Sequence, residues 1–357
     1  MDYTARRSSR KIKVGSVEIG GNAKISVQSM TNTDTQDIEA TYLQIKALAE
    51  AGCDIVRLAA PTLECAKTFY ELKERGIDIP LVADIHFDYR IALECVAMGA
   101  DKIRINPGNI GDDERVRAVV NACREKSIPI RIGVNSGSLE KEILKKYGAP
   151  TPEALAESAL YHAKLLNKFD FYDICISVKA SSVRDMIEAN RIISEKTDYP
   201  LHLGVTEAGS LQSGMVKSAV GIGSLLSSGI GDTIRVSLTA DPVYEVKAGK
   251  DILSALGLNA EKEMDIVSCP TCGRTKIDLI PLLSAFESAL DKEGLRKKPI
   301  KVAFMGCVVN GPGEAREADI GIAGGVGEAV LFKRGEIVGK IKSDEIIKTL
   351  IEEIKRM

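Results

Sequence analysis

Two sets of side chains in this sequence could do chemistry. The first is a group of thiols near the end of the chain. Cys269-Pro270-Thr271-Cys272 is followed by Cys307, within Met305-Gly306-Cys307-Val308-Val309-Asn310-Gly311-Pro312-Gly313-Glu314. A two-residue gap lets both thiols chelate one metal centre. Proline and glycine around each thiol predict turns, which free backbone amides to point at sulfur. This part of the chain holds no histidine. A Cys₃His zinc site inside it is therefore excluded, and a Cys₄ site lacks its fourth thiol. The fourth ligand must be a carboxylate, a residue from elsewhere in the chain, or something exogenous, and Glu314 is the nearest carboxylate. Zinc accepts carboxylate, so a zinc site stays open, as does a purely structural cysteine cluster. A 4Fe–4S cluster fits better. Its corners take thiolate, and a corner held by oxygen can exchange its ligand for substrate. The radical-SAM spacing Cys-x₃-Cys-x₂-Cys is absent.

The second set is cationic. Arg57, Arg104, Arg131, Lys179 and Arg235 fall on five different apolar stretches. Gln28, Ser29, Asp84, His86, Asn106, Asn135, Ser177, Thr206, Glu207 and Ser237 stand at or near the ends of such stretches. Charges within buried strands need partners. The plainer account of these cations is internal ion pairing with Asp84, Glu207 and similar acids. Few acids share their neighbourhood, however, which favours an anion, and a diphosphate is the simplest. Arginine's planar fork suits phosphoryl oxygens, and lysine adds a point charge. Asn106-Pro107-Gly108-Asn109 and Asn135-Ser136-Gly137-Ser138 supply turns whose amides can face the same anion. Of the three histidines, His162 and His202 read as structural, whereas His86, close to Asp84, has the best claim to a role. No Gly-x-Ser-x-Gly elbow stands out.

The elements that must position these groups alternate strand and helix. A hairpin is expected over 11–20. Strands follow at 25–30, 55–59, 81–85, 102–106, 130–135, 174–179, 201–206 and 233–238. Helices are expected near 37–51, 62–75, 88–98, 112–126, 152–167, 182–195, 211–228 and 243–256. Strands apolar over most of their length indicate parallel pairing buried on both faces. Eight such units make a (β/α)₈ TIM barrel, whose C-terminal strand ends form the active-site face. The runner-up is a doubly wound open sheet, but no Gly-x-Gly-x-x-Gly follows the first strand. Residues 136–151 insert extra chain on that active-site face. Gly257 is a helix stop, and a polar run follows it. We therefore expect a barrel over 1–260 and a small α+β domain over 261–357 that holds the three grouped thiols.

Composition narrows the field. A chain of 357 residues with formal net charge −2 lacks the basic excess of a general nucleic-acid binder. No apolar run approaches the length of a membrane span. Tryptophan is absent, which argues against aromatic stacking platforms. The basic start, Met1 to Lys11, hints at a transit peptide but has no apolar core, so no secretory signal is read. The other five of the eight cysteines (Cys53, Cys65, Cys95, Cys123, Cys175) read as reduced core thiols in a reducing cytoplasm.

Together these features resemble the 4-hydroxy-3-methylbut-2-enyl diphosphate synthase family of the non-mevalonate isoprenoid pathway. The match lies in Val27-Gln28-Ser29-Met30-Thr31, Ala83-Asp84-Ile85-His86-Phe87, Ile105-Asn106-Pro107-Gly108-Asn109, Arg131-Ile132-Gly133-Val134-Asn135, Thr206-Glu207-Ala208-Gly209, Cys269-Pro270-Thr271-Cys272-Gly273-Arg274 and Cys307 to Glu314. The last segment is the most specific, and the resemblance runs from about residue 11 to the end. It implies a two-electron reductive ring opening and dehydration of methylerythritol cyclodiphosphate to a linear allylic diphosphate. It implies that Cys269, Cys272, Cys307 and Glu314 hold a 4Fe–4S cluster. Arg57, Arg104, Arg131 and Lys179, with Asn106 and Asn135, would clamp the diphosphate. Glu207 would donate a proton, with Asp84 and His86 as the other candidates. Reduced flavodoxin or ferredoxin would bring electrons singly. The resemblance also implies a head-to-tail homodimer whose site is shared between subunits, in the two-domain bacterial form. Two other classes remain as alternatives: a redox-silent phosphate-binding barrel enzyme with structural zinc, and a non-catalytic iron–sulfur carrier.

Overall fold

The computed structural model describes residues 6–259, 264–308 and 316–357. The chain falls into two units, Met1–Asn259 and Ala260–Met357. The first begins with an antiparallel hairpin of β1 (Ile12–Val14) and β2 (Val17–Ile19). Eight parallel strands follow: β3 (Ser26–Met30), β4 (Ile55–Ala59), β5 (Leu81–Asp84), β6 (Lys102–Ile105), β7 (Ile130–Asn135), β8 (Ile174–Lys179), β9 (His202–Leu203) and β10 (Thr233–Ile234). Their order is β8-β7-β6-β5-β4-β3-β10-β9. A parallel bridge between Ile176 and Leu201 joins the two ends into a barrel. That closure rules out the open doubly wound sheet. The strands are buried almost throughout because helices cover the outside.

Helix starts are locally encoded. Asp37, Asp88, Asp112, Thr151, Ser182 and Asp241 each accept a backbone N–H of the first helical turn through their side-chain oxygen. These caps satisfy donors that a helix end leaves unpaired. The helices they open run Ile38–Glu50, Tyr89–Ala97, Asp113–Glu125, Pro152–Asn167, Val183–Lys196 and Pro242–Ala255. The insertion after β7 forms a 3₁₀ turn, Ser136–Ser138, and a short helix, Lys141–Tyr147, ended by Gly148 at φ +74°. At the other end of the barrel, Ile12, Val14 and Ile19 of the hairpin pack on Ile55, Val82 and Cys175. These three lie at the starts of their strands, so the hairpin plugs the floor of the barrel.

The expected strands over 201–206 and 233–238 are shorter than the sequence reading gave them. Each keeps only two residues in the ladder. Beyond them the backbone amides turn elsewhere. Thr206 N–H donates to the Ala180 carbonyl, Leu238 N–H to Glu245 Oε1, and Thr239 N–H to the Gly209 carbonyl. Apolar content could not reveal this, because Val205 and Val236 stay buried beyond the ends of the paired segments.

The second unit is a five-stranded sheet in chain order: β11 (Asp265–Ser268), β12 (Lys301–Met305), β13 (Ile320–Gly324), β14 (Glu328–Lys333) and β15 (Glu336–Lys342). The first three strands are parallel and the last two antiparallel. Helices Leu279–Glu293 and Ile346–Arg356 cover one face through Phe286, Leu290, Leu350 and Ile354. The Phe286 and Phe304 rings meet at 4.8 Å. Ala303, Met305, Ala323 and Phe332 form a smaller cluster with Cys269 packed against it.

Candidate active site

Side chains alternate faces along a strand, so every second residue of the barrel points inward. Arg57, Asp84, Arg104, Arg131, Asn135 and Lys179 meet there around a cavity of about 150 Å³, with His86 at its edge. Ser177, Thr206, Arg235 and Ser237 complete the lining. A larger groove of about 940 Å³ lies on the flank, between Lys141–Tyr147 and Pro152–Asn167. Lysines and glutamates line it and pair with one another, as Lys146 does with Glu157 at 2.6 Å. We place the site at the mouth, where charge is concentrated and not self-compensated.

The cations differ in how they are held. Asp84 accepts from Arg104 Nη1 at 3.0 Å and stands 3.7 Å from Arg57 Nε. Arg57 also lies against Met30, with Nη2 2.8 Å from Sδ. Glu245 grips Arg235 through both oxygens at 3.3 Å and accepts from Ser29 Oγ at 2.9 Å. Arg131 is 1 % exposed, donates only to Ser177 Oγ at 3.3 Å, and leaves Nε and Nη2 without a partner among the described residues. Lys179, also buried, makes no hydrogen bond or ion pair with any described residue. Five cations therefore face two carboxylates, an excess of three positive charges.

Protonation follows from that imbalance. Burial opposes the charge of Asp84, but Arg57, Arg104 and Arg131 outweigh it and hold the carboxyl below its usual range. Burial, reinforced by neighbouring cations, pushes Lys179 and Arg131 well down, and brings Arg57 to about 10. Below the cavity, fully buried Lys102 falls to about 8, chiefly through burial. Its Nζ reaches Gln28 Oε1 at 3.5 Å.

Two residues expected at the site stand outside this lining. Asn106 is buried, and its Oδ1 accepts from Gly108 N–H at 3.2 Å, capping the turn Pro107–Asn109. Its Nδ2 has no partner among the described residues. Glu207 is exposed and carries a left-handed backbone, φ +52°. It forms none of the ion pairs that the plainer account of the cations assigned to it among the described residues. Glu245 forms one instead. Glu245 was missed by sequence reasoning because it lies on a helix, Pro242–Ala255, and not on a strand. Lys102 was missed too, although it shares strand parity with Arg104. His162 and His202 are wholly buried, and His162 contacts Glu140 of the insertion.

In the second unit, Cys269 follows β11 and Cys307 follows β12. Ser268 stands opposite Phe304 in parallel register, so both thiols leave the same end of the sheet. Gly306 N–H donates to Cys269 Sγ at 3.2 Å, as the glycine beside the thiol led us to expect. Thr271 sits at φ +63° between the paired cysteines. Cys272 is exposed, and the Arg274 backbone N–H holds its thiol below the usual value. Cys269 and Cys307 are half-buried. Among the described residues no three His, Cys, Asp or Glu side chains are close enough to enclose a metal ion. Glu314 and Val309 to Gly313 lie outside the described residues. The donor set nevertheless fits a thiolate-bound group: three thiols outside the core, with an amide already aimed at Cys269 Sγ. The other five cysteines are buried and free. Burial pushes Cys53, Cys95 and Cys123 up to about 12, and Cys175 to about 11.

Comparison with known proteins agrees with this architecture. Residues 9–250 match the family model described as the GcpE TIM-barrel domain, and 265–356 match the GcpE protein C-terminal domain. A 4-hydroxy-3-methylbut-2-en-1-yl diphosphate synthase (flavodoxin) from Clostridium perfringens is 59% identical over 350 residues, covering 98% of this chain and 99% of that protein. The protein of the same name from Caldanaerobacter subterraneus is 60% identical over 352 residues, covering 99% and 98%. Among solved structures, a type I 3-dehydroquinate dehydratase from Clostridium difficile superposes with TM-score 0.51 at 18% identity, over 70% of this chain and 98% of that one. At that identity it shows the barrel fold alone. No helix among the described residues is long and apolar enough to cross a membrane. With both domains matched and full-length relatives near 60% identity, the chain belongs to the 4-hydroxy-3-methylbut-2-en-1-yl diphosphate synthase (flavodoxin) family.

Proposed function

We propose that the cationic barrel mouth clamps the diphosphate of 2-C-methyl-D-erythritol 2,4-cyclodiphosphate, and that Cys269, Cys272 and Cys307 hold a 4Fe–4S cluster with Glu314 as fourth ligand. The reaction is that of the family: reductive ring opening and loss of water, giving 4-hydroxy-3-methylbut-2-en-1-yl diphosphate in non-mevalonate isoprenoid biosynthesis. The observation that carries the reading is the uncompensated charge on Arg131 and Lys179.

Buried cations without partners are costly, and a diphosphate supplies the missing anion. Its arrival favours the charged form of Lys179 and occupies the free donors of Arg131. Arg104 and Arg57 are held by Asp84, and Arg235 by Glu245. These three meet the phosphoryl oxygens with little reorganisation, so binding becomes orientation. Asn135 lines the same cavity, and Asn106 Nδ2 is available from its turn. Asp84, held ionised, positions guanidinium groups and is unsuited to donate a proton. His86 at the cavity edge and Glu207 beyond it are the donors. A non-glycine residue in the left-handed region is strained by about 1–3 kcal/mol, and such strain concentrates at working sites, which favours Glu207. When bound, the cluster supplies single electrons, received from reduced flavodoxin or ferredoxin. A second copy of the chain completes the site in a cytoplasmic homodimer.

Anaerobic reconstitution followed by visible and electron-paramagnetic spectroscopy, with and without the cyclic diphosphate, tests this reading. A brown protein whose spectrum changes on adding substrate is expected. Zinc without iron or sulfide would overturn the cluster, and failure to bind the diphosphate would overturn the clamp. Glu207→Gln should bind substrate but stall; full turnover would refute its role.

A further inference from the structure

We propose that Gly133 is a positioning residue for the clamp: it is the interior position without a side chain across which the Arg104 guanidinium lies. The proposal rests on the diphosphate reading above.

Alternation along β7 puts Arg131, Gly133 and Asn135 on the inner face. Arg131 and Asn135 line the cavity, and Gly133 stands between them. A Cβ at Gly133 would lie 2.2 Å from Arg104 Nε, 2.6 Å from Nη2 and 2.8 Å from Cζ. Contacts that short do not occur, so the guanidinium would have to leave. It has little freedom to do so. Arg104 is 8 % exposed, its Nη1 is bonded to Asp84 at 3.0 Å, and its Nη2 reaches the Gly133 carbonyl at 3.4 Å.

The backbone itself does not ask for glycine here. Gly133 is in ordinary strand conformation, without positive φ. Glycine within a strand is normally less stable than alanine, and it often marks a close approach of another group. The close approach here is Arg104. Gly204 repeats the pattern, since a Cβ there would lie 2.9 Å from Lys179 Nζ. That Cβ would also lie 2.5 Å from the Arg235 carbonyl, so Gly204 serves the backbone as well. Gly133 is the cleaner case.

The test is a double-mutant cycle on the anaerobically reconstituted holoenzyme, titrating the cyclic diphosphate by calorimetry and recording thermal midpoints. The four proteins are the parent, Arg104→Ala, Gly133→Ala and the double variant. Gly133→Ala should weaken binding about ten- to a hundredfold, as a displaced contact does. The double variant should bind no worse than Arg104→Ala, because residues acting through one contact are not additive. Additive losses would overturn the proposal, as would unchanged affinity in Gly133→Ala beside a clear loss in Arg104→Ala. No loss in Arg104→Ala would remove the clamp role of Arg104, and the proposal with it. If Gly133→Ala is too unstable to titrate, the midpoints decide. Its loss should be smaller in the Arg104→Ala background, and an equal loss in both backgrounds overturns the proposal.

Discussion

At the barrel mouth the charged groups are buried before any ligand arrives, whereas the three thiols of the second unit stand at or near the surface. Strand parity and closure fix the mouth. Arg104 and Arg57 are locked on Asp84, and Arg235 on Glu245, by interactions internal to the barrel. The thiols are placed by two strand ends and a turn, with one amide on Cys269 and an exposed Cys272. The first site is pre-organised by its fold. The second is a donor set carried by two strand ends and a turn. Each region carries a non-glycine residue in the left-handed region, Glu207 in one and Thr271 in the other.

If the two regions are separable in this way, Cys307→Ala should remove iron, sulfide, colour and turnover together. Diphosphate affinity should stay within about threefold of the parent, because the cations and acids of the clamp all belong to the barrel. Metal analysis beside calorimetry reads both halves, and a parallel loss of affinity would break the comparison. Arg131→Met should act in the opposite sense. Diphosphate affinity should fall about a hundredfold, while the ligand-free protein gains roughly 1–3 kcal/mol on chemical denaturation, because unpaired buried donors are removed. A loss of stability instead would show that Arg131 is structural.

Lys102 gives a smaller effect with a definite sign. Its folded value of about 8 lies below the ordinary 10.5. Between those values the unfolded chain binds more protons, so ligand-free stability should rise with pH from about 8 towards 10.5, by roughly 3 kcal/mol. Denaturation across that range should show the rise in the parent and its absence in Lys102→Met. Smallest is Thr271→Gly, which should stabilise the cofactor-free protein by about 1 kcal/mol, by relieving a β-branched residue at positive φ. No change in the denaturation midpoint would mean that the turn is not strained.

Most of the barrel was legible because its signals are local. Long apolar runs mark the buried strands, and capping residues such as Asp112 and Ser182 mark helix starts. The cysteine motifs were legible because ligand spacing is itself a sequence property. The shortening of β9 and β10 was not, since Thr206 and Leu238 spend their amides on partners distant in sequence or on a side chain. Nor was the choice of Glu245 over Glu207 as the acid that pairs with Arg235. That depends on which helix turn faces which strand end.

By itself, then, the sequence determined the kinds of group available: cations on five strands, three thiols without a histidine, and a stretch ending in Glu314. Only the tertiary structure decided which charges are compensated. Ion pairing depends on distances of a few ångströms between residues far apart in the chain, and barrel closure sets those distances. Among the described residues at the mouth it left Arg131 and Lys179 without a carboxylate partner, and placed a glycine where Arg104 had to lie.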